Sequence, residues 1–286
     1  MLVAPAASLQ IDPGVEVRFK PGTSLIVQGQ VQAAGIAGNP VRFVGPEGRW
    51  NGLVGQAGST ITLEHTEIRN AGGGGVALNS TGGQVALRNV LLTEGGGGIV
   101  ANGAAVEMRN SQVTGNDLAT GPALDIRMGG GAPLTLRENI IGGNQTPEGT
   151  PQVRLMAGSG GNGPFEIEGN AFVGSVGPLL EIQTPAALGG TIRCNGFRAG
   201  TVGLQLNSST PSDEGFNLLV ELNAFELQSL YGIASTIGLG AGNNWWGDPS
   251  GPADAQRNPE GRGVRAGVNV NFQPSLQTRP ECVPAP

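Results

Sequence analysis

An eight-residue pattern of apolar and polar positions recurs along the chain. Its first, third and eighth positions are apolar, as in Ile61–Ile68 (ITLEHTEI) and Val85–Leu92 (VALRNVLL). Alternation of apolar and polar residues over such a short run predicts a β-strand with one buried face. The copies start at Ile61, Val85, Val106, Leu134, Phe165, Gly190, Leu218 and Leu239, with the copy at Gly190 the weakest. The sequence therefore predicts eight similar coils of one repeating structure.

A second short apolar strand follows each copy except the last, usually after glycine. These strands start at Val76, Ile99, Leu124, Val153, Leu180, Leu204 and Ile233. Starts of successive copies lie 21 to 31 residues apart, which is typical of a parallel β-helix coil. Leucine-rich repeats share this period but need an L-x-x-L-x-L framework, which is missing. Repeats of helix pairs need a 3.6-residue periodicity, which the glycines interrupt.

Composition supports an all-β fold and excludes several other classes. Among 286 residues there are 51 Gly and 20 Pro, about twice the ordinary share, which excludes a helical bundle. The 38% hydrophobic content argues against disorder. The net charge is −6 and the 16 basic residues form no cluster, so we expect no nucleic-acid partner. No run of 18 apolar residues exists, so we expect no membrane insertion.

Asparagine recurs at the corner of the pattern. Asn89 and Asn110 hold the fifth position, and Asn139, Asn170, Asn195, Asn223 and Asn244 hold the sixth. Asn tolerates left-handed backbone conformations and bonds neighbouring backbone groups, so stacked Asn residues suit a corner between two sheets. We therefore assign these residues a structural role. His65, the only histidine, stands at the same corner and receives the same interpretation.

The repeat resembles the right-handed parallel β-helix proteins of the pectate-lyase-like superfamily. Its ends are similar to those of a secreted bacterial group: Ile11–Leu53 resembles the opening coils, and Asn243–Pro252 and Gly263–Pro274 resemble the closing segment. The resemblance implies an all-β, right-handed, single-stranded parallel β-helix that is secreted or exposed at a cell surface. It implies no single activity, because this architecture carries lyases, hydrolases, adhesins and inert spacers.

We expect one domain with capped ends, because a solenoid otherwise exposes the unpaired edges of its terminal strands. The expected parts are a flexible tail (residues 1–7), opening coils and cap (8–58), central coils (59–242), a C-terminal capping segment (243–280) and a second tail (281–286). Further domains of a longer chain are an open alternative. Cys194 and Cys282 lack C-x-x-C spacing, which argues against a zinc site. In an oxidising compartment we expect a disulfide between them that fastens the tail along the rod.

Equivalent positions on successive coils should stack about 4.8 Å apart and form columns. The third positions should form a continuous inward column: Leu63, Leu87, Met108, Leu136 and Ile167. The outward fourth positions are Glu64, Arg88, Arg109, Arg137, Glu168, Arg193 and Glu221. This charged column suits either a stripe that binds a polyanionic glycan or a solvated ladder of ion pairs. We favour the ladder, because exposed columns of mixed sign are ordinary protein surface.

The outward middle position of the second strand is the one place where acids and a base converge. Its column reads Ala77, Val100, Asp125, Arg154, Glu181, Gln205 and Ala234, and Arg127 follows two residues after Asp125. In the enzymes that the chain resembles, catalytic acids project from such a sheet into a cleft. Asp125 and Glu181 should lie about 9.6 Å apart, near the upper limit for an inverting pair. Arg154 between them favours ionised carboxylates, which predicts a salt-bridged triplet and argues against a general acid.

These observations predict a non-catalytic rod for structure, adhesion or glycan contact. The candidate ligand face comprises Asp125, Arg127, Arg154, Glu181 and Gln205. The alternative is a polysaccharide hydrolase or lyase that uses Asp125, Arg154 and Glu181. The sequence contains no cluster of acids suited to a calcium cage, so we expect neither a metal nor a cofactor. The expected partner is a polysaccharide or a glycan of the cell envelope.

Overall fold

The computed structural model describes residues 1–129, 131–158, 162–185, 188–209 and 217–285. Within these residues the chain forms strands and no helix, and all pairing between strands is parallel. The strands build a β-solenoid of about nine turns, which confirms the parallel β-helix predicted from the repeat. Three stacks of strands surround one core, and we name them faces A, B and C in the order in which the chain passes through them.

Face A is a ten-stranded sheet that contains the predicted second strands. Its strands are Leu2–Val3, Ser24–Val27, Gly52–Gly55, Val76–Thr81, Gly98–Asn102, Leu124–Met128, Val153–Ala157, Leu180–Thr184, Val202–Ser208 and Tyr231–Ser235. At a strand spacing of about 4.8 Å, nine steps make this face about 43 Å long.

Faces B and C contain the two halves of the eight-residue pattern. Face B comprises Ser8–Ile11, Gln30–Ala34, Ala105–Arg109, Leu134–Arg137, Phe165–Glu168, Gly189–Arg193 and Asn217–Glu221. Face C comprises Glu16–Arg18, Val41–Val44, Gln112–Thr114, Ile140–Gly142, Ala171–Val173, Gly196–Arg198 and Ala224–Glu226. Thr60–Arg69 and Gln84–Thr93 pass through both faces, so the two form one sheet bent at its corner. A separate pair, Leu239–Gly240 with Val270–Asn271, follows face A at the C-terminal end.

The inward column of face B is continuous, as predicted. Leu87 pairs with both Leu63 and Met108, and the column continues through Leu136 to Ile167. All five side chains are at most 1% exposed. Burial of one such side chain contributes about 1.5–3 kcal/mol, so the column is a major source of stability.

The corner between faces B and C uses the fifth and sixth positions differently. The fifth position adopts a left-handed backbone whatever its residue type: His65, Asn89, Asn110, Glu138, Cys194 and Leu222 all have φ between 41° and 57°. The sixth-position asparagines are instead buried, from Asn139 to Asn244. The Nδ2 atom of each of the first four donates a hydrogen bond to the Oδ1 atom of the next asparagine, over 2.9 to 3.0 Å. The interpretation as turn formers therefore holds for the fifth position, whereas the sixth forms an internal amide ladder.

The N-terminal end is ordered further outward than the sequence indicated. In place of a flexible tail over residues 1–7, Leu2–Val3 pairs with Ile26 and Val27 of face A. The N-terminal amino group donates to the carbonyl oxygen of Ser24 over 2.9 Å. The opening coils are packed around the stacked rings of Phe19 and Trp50, whose centroids lie 4.0 Å apart.

The C-terminal coils are filled by a stack of aromatic rings. The centroids of Phe172, Phe197, Phe225 and Trp246 follow one another at 5.0, 4.9 and 5.3 Å. Trp246, at the end of this stack, is fully buried. Trp245 is half-buried, and its Nε1 atom donates to Glu226 Oε1 over 3.2 Å.

Residues 279–284, which we call the strap, lie across face C. Cys282 forms the expected disulfide with Cys194 at the corner of the sixth predicted coil. Arg279 forms an ion pair with Glu226 at 3.3 Å and donates to the carbonyl oxygen of Val283. These contacts hold residues 281–284 against the solenoid in place of the second tail expected from the sequence.

Gly196 gives the strap room to approach face C. A Cβ atom added at Gly196 would already lie 3.4 Å from Val283 Cγ1, so a larger side chain would displace the strap. Val283 is accordingly 4% exposed, although it lies only three residues from the C-terminal Pro286.

Candidate functional site

The candidate site lies on the outward side of face A. Strand pairing places Asp125 beside Arg154, Arg154 beside Glu181, and Glu181 beside Gln205. We call these four residues the polar ladder. Their order in the column is the order that the sequence predicted.

One predicted member of this column is wrong. The place beside Val100 that was predicted for Ala77 is held by Asn79, because the pairing register shifts by one residue between Gly98 and Ile99. Ala77 is fully buried and does not face outward. Ala77 is the extra residue of this bulge, which a count of positions from the start of the strand does not reveal.

Arg154 connects the two acids of the ladder. Its Nε atom lies 3.2 Å from Glu181 Oε2, and its Nη1 atom lies 3.8 Å from Asp125 Oδ2. Glu181 is 8% exposed, so its bond to Arg154 is largely shielded from water. The salt-bridged triplet predicted from the sequence is therefore present, with the tighter contact on the side of Glu181.

Asn207 completes the coordination of Glu181 and was missed by the sequence reasoning. Its Nδ2 atom donates to Glu181 Oε1 over 3.0 Å, and its Oδ1 atom accepts a bond from Gln205 Nε2 over 3.3 Å. Both oxygens of Glu181 thus have protein donors. Asn207 follows Gln205 by two residues and faces the same side, so the period-two alternation of a strand was the signal that could have found it.

Arg127 lies beside the ladder but outside its ion pairs. It is exposed and pairs in register with Met156, in the column that continues through Gln183 to Asn207. Among the described residues no carboxylate forms an ion pair with Arg127. Within the described residues, the Arg127 side chain is therefore an unpaired cation at the end of a column whose other members, Met156, Gln183 and Asn207, are neutral.

Asp125 retains one unused acceptor. Its Oδ1 atom is buried and has no hydrogen-bond donor among the described residues, although the residue as a whole is half-buried. A buried acceptor without a donor is costly, so Asp125 Oδ1 is the one unsatisfied buried side-chain atom of the polar ladder.

The charged column on face B forms a separate network. The predicted register holds, so Arg109 has Arg88 on one side and Arg137 on the other. Two carboxylates from the adjacent outward column relieve this repulsion. Glu107 lies 3.0 Å from Arg88 and 2.6 Å from Arg109, and Glu166 accepts a bond from Arg137. The result is a solvated ladder of ion pairs that spans two columns.

Hydrogen bonds in this network shift the pKa values of its members. Burial alone would raise the pKa of Glu107, but the bonds from Arg109 and Arg88 outweigh it and lower that pKa from 4.5. The bond between Arg137 and Glu166 lowers the pKa of the Glu166 carboxyl and raises that of the guanidinium. These carboxylates are therefore held in the ionised form.

The described residues offer little other chemistry outside these two networks. His65 occupies the left-handed corner with φ 41°, and its Nε2 atom lies 3.4 Å from Asn89 Nδ2. No group of three or more His, Cys, Asp or Glu side chains in this part of the chain is arranged to hold a metal ion. Nor does any helix there have the length and apolarity to cross a membrane.

No protein-family model, curated protein or solved structure matches this chain. The fold is thus established from the structure itself, and the function has to be inferred from the chemistry of its faces.

Proposed function

We propose that this chain is a non-catalytic rod of the right-handed, pectate-lyase-like β-helix type that acts outside the cell and contacts glycans through face A. The strip proposed for contact comprises Asp125, Arg127, Gln183, Gln205 and Asn207. Amide and guanidinium groups suit hydroxyl-rich sugars because they donate and accept hydrogen bonds along a flat surface.

The contacts of Glu181 carry this proposal. A general acid must be free to give a proton to a leaving group, whereas Glu181 accepts bonds from Arg154 and Asn207 on its two oxygens. Arg154 also occupies the space between the acids, where an inverting hydrolase would need its water molecule. The arrangement suits a stable surface better than acid–base catalysis.

The disulfide supports the proposed location. A disulfide persists in oxidising surroundings and is rare in the cytosol, so the bond between Cys194 and Cys282 favours a secreted or cell-surface protein. The charged face B and the polar strip on face A would then both be available to partners along the length of the rod.

One observation favours the enzyme alternative. The Asp125 carboxyl group is held less tightly than Glu181, because its Oδ2 atom lies 3.8 Å from Arg154 Nη1 and its Oδ1 atom has no donor in the described part of the chain. A polysaccharide hydrolase or lyase would have to use this carboxyl group, because both oxygens of Glu181 accept bonds from protein donors.

A turnover assay separates the two functions. Purified protein would be incubated with pectin, polygalacturonate, alginate and neutral glucans at acidic and neutral pH, with and without calcium. We expect no product release, and we expect Asp125→Asn to reduce stability by less than about 1 kcal/mol. Release that disappears in Asp125→Asn or Glu181→Gln would establish the enzyme.

A glycan array tests the contact directly. We expect the wild type to bind a defined set of glycans, with weaker signals for Arg127→Ala and Gln183→Ala. Arg18→Gln is the matched control, because Arg18 lies in the opening coils, away from the polar strip, and pairs with Glu16. Equal signals from all four proteins would contradict a contact through face A.

A further inference from the structure

A cavity of about 510 Å³ opens where the last strands of face C meet the C-terminal capping segment. It lies away from the polar strip on face A and combines charged and apolar groups. The capping segment contributes Gly247 and Arg262–Val264, and face C contributes Arg198, Glu226 and the adjacent Leu227. Trp246 also lines it.

A missing side chain opens this cavity. Along the outward column of face C, Val173, Arg198 and Glu226 are neighbours in register. Trp245 bridges Ala224, so the next place beside Glu226 falls to Gly247, whose φ is +84°. A Cβ atom there would lie 3.4 Å from Phe225 O and 3.9 Å from Val264 Cγ2, so a methyl group would fit without a clash and glycine leaves that space open.

The carboxylates at this cavity are occupied by other groups. Glu226 Oε1 accepts a bond from Trp245 at 3.2 Å and pairs with Arg279 at 3.3 Å. Asp248, which follows Gly247, accepts bonds from the backbone nitrogen and hydroxyl of Ser250 at 2.9 and 2.6 Å. Neither acid is therefore free to neutralise a further cation fully.

Donors at the cavity remain available. Arg198 forms no ion pair within the described residues, and Arg262 has only a loose contact with Asp248 at 3.6 Å, with 77% of its side chain exposed. Trp246 also lines the cavity but is fully buried, so its Nε1–H group, which has no acceptor among the described residues, is closed off from solvent. Two guanidinium groups thus flank a cavity whose one lining carboxylate, Glu226, already pairs with Arg279.

We infer that this cavity binds the carboxylate of a small organic acid, with Arg198 and Arg262 as the recognising groups. Guanidinium groups form strong charge-assisted hydrogen bonds with carboxylates and match their planar geometry. Leu227, which is 66% exposed, and Val264 offer apolar contact to the body that carries the acid. The acid could belong to a free organic acid or to an acidic sugar, and both present the same carboxylate.

Titration by NMR tests the site in the full chain. The protein has three tryptophans, so its indole N–H signals are few and assignable. Benzoate and glucuronate are the probes, and benzamide and glucose are their uncharged counterparts. We expect at least one acid to shift the Trp246 signal, while Trp50, bonded to Arg69 O in the opening coils, stays unchanged. A shift with benzoate alone would assign the site to free acids, and a shift with glucuronate alone to acidic sugars.

Variants connect the shift to the cavity. Arg198→Gln and Arg262→Gln should each weaken binding about tenfold, the loss expected for one charge-assisted hydrogen bond. Arg127→Gln on face A should leave acid binding unchanged, so this site and the proposed glycan contact can fail independently. Equal weakening by Arg127→Gln, equal shifts with the uncharged counterparts, or no Trp246 shift with either acid at millimolar concentration would overturn the inference.

Discussion

Charged side chains on the outside of the solenoid are long enough to form ion pairs between adjacent columns as well as within one column. Glu107 lies one column away from Arg88 and Arg109, yet it pairs with both. Successive coils can therefore carry arginine at the same position, provided that a carboxylate stands in the adjacent outward column, on the same strand or on a neighbouring one.

The pKa shift of Glu107 predicts an acid-dependent loss of stability. Its folded pKa is lower than its unfolded value, so its ion pairs stabilise the protein above that unfolded value. This contribution is lost as the pH falls through the lowered folded pKa. In Glu107→Gln, the difference in the free energy of unfolding between pH 7 and pH 3, measured with urea, should therefore be smaller, by less than about 1 kcal/mol for each exposed pair.

Glu64→Gln is the control for this experiment. Glu64 belongs to the charged column on face B but forms no ion pair among the described residues. Its substitution should leave the pH dependence close to that of the wild type. If both variants reduced the dependence equally, general surface charge and not the pairing of Glu107 would be the cause.

The polar ladder was only partly predictable from the positions of residues in successive strands. It predicted the order of Asp125, Arg154 and Glu181, because register alone sets that order. It missed Asn207, whose bond to Glu181 runs diagonally to a position two residues further along the neighbouring strand. Diagonal contacts depend on side-chain length and rotamer, which a pattern of positions does not specify.

Among the elements, the corner between faces B and C has two layers with different physical roles. The fifth position provides the change of chain direction, and the sixth provides buried hydrogen bonds that run parallel to the axis. Asn170, for example, donates to the carbonyl oxygens of Leu136 and Glu168 while its own oxygen accepts bonds from Asn139. One amide thus connects two successive coils.

Asn170→Ala should strongly destabilise the solenoid. The substitution removes the acceptor of the Asn139 backbone N–H and one of the two acceptors of its side-chain amide, and each unpaired buried group costs about 1–3 kcal/mol. Urea unfolding followed by circular dichroism measures the loss. Asn110→Gly is the matched control: Asn110 is exposed with φ 49°, a conformation that glycine adopts readily, so the free energy of unfolding should change by less than about 0.5 kcal/mol. Similar losses in both variants would contradict the distinction between the two positions.

The elements were predictable where the repeat is regular. On faces B and C the apolar spacing fixed the register from Leu63 to Ile167, since a slip of one residue would turn every inward side chain outward. On face A the short strands carry a bulge beside Ala77, and nothing in the apolar pattern marks it. At the ends, pairing of Leu2 and docking of Val283 depend on contacts with distant coils, which local sequence does not encode.

For the whole molecule, closure of the C-terminal end depends on contacts that span much of the chain. The strap joins the last residues to a coil formed 88 residues earlier, through the disulfide, and to face C through Arg279. The coils between are thereby enclosed in a covalent loop, whereas coils before Cys194 depend on stacking alone.

Removal of the disulfide should lower stability by about 2–4 kcal/mol, because the unfolded chain regains the freedom of a long loop. The double variant Cys194→Ser/Cys282→Ser avoids stray thiols, and reduced wild type should unfold at the same urea concentration as this variant. Thiol titration of unreduced, unfolded protein should find no free thiol. Two free thiols would show that the bond does not form in the purified protein.

The distance along the chain between the two cysteines has a consequence for biosynthesis. At about 5 to 20 residues per second, the 88 residues that separate them take roughly 4 to 18 seconds to synthesise. In an oxidising compartment, Cys194 would be a lone thiol during that interval and could form a mixed disulfide with a small disulfide-bonded molecule. The chain has only two cysteines, so Cys282 is the only other thiol in it that can attack such a mixed disulfide. That attack forms the bond between Cys194 and Cys282 and releases the small molecule as a thiol, so no wrong pairing within the chain can arise.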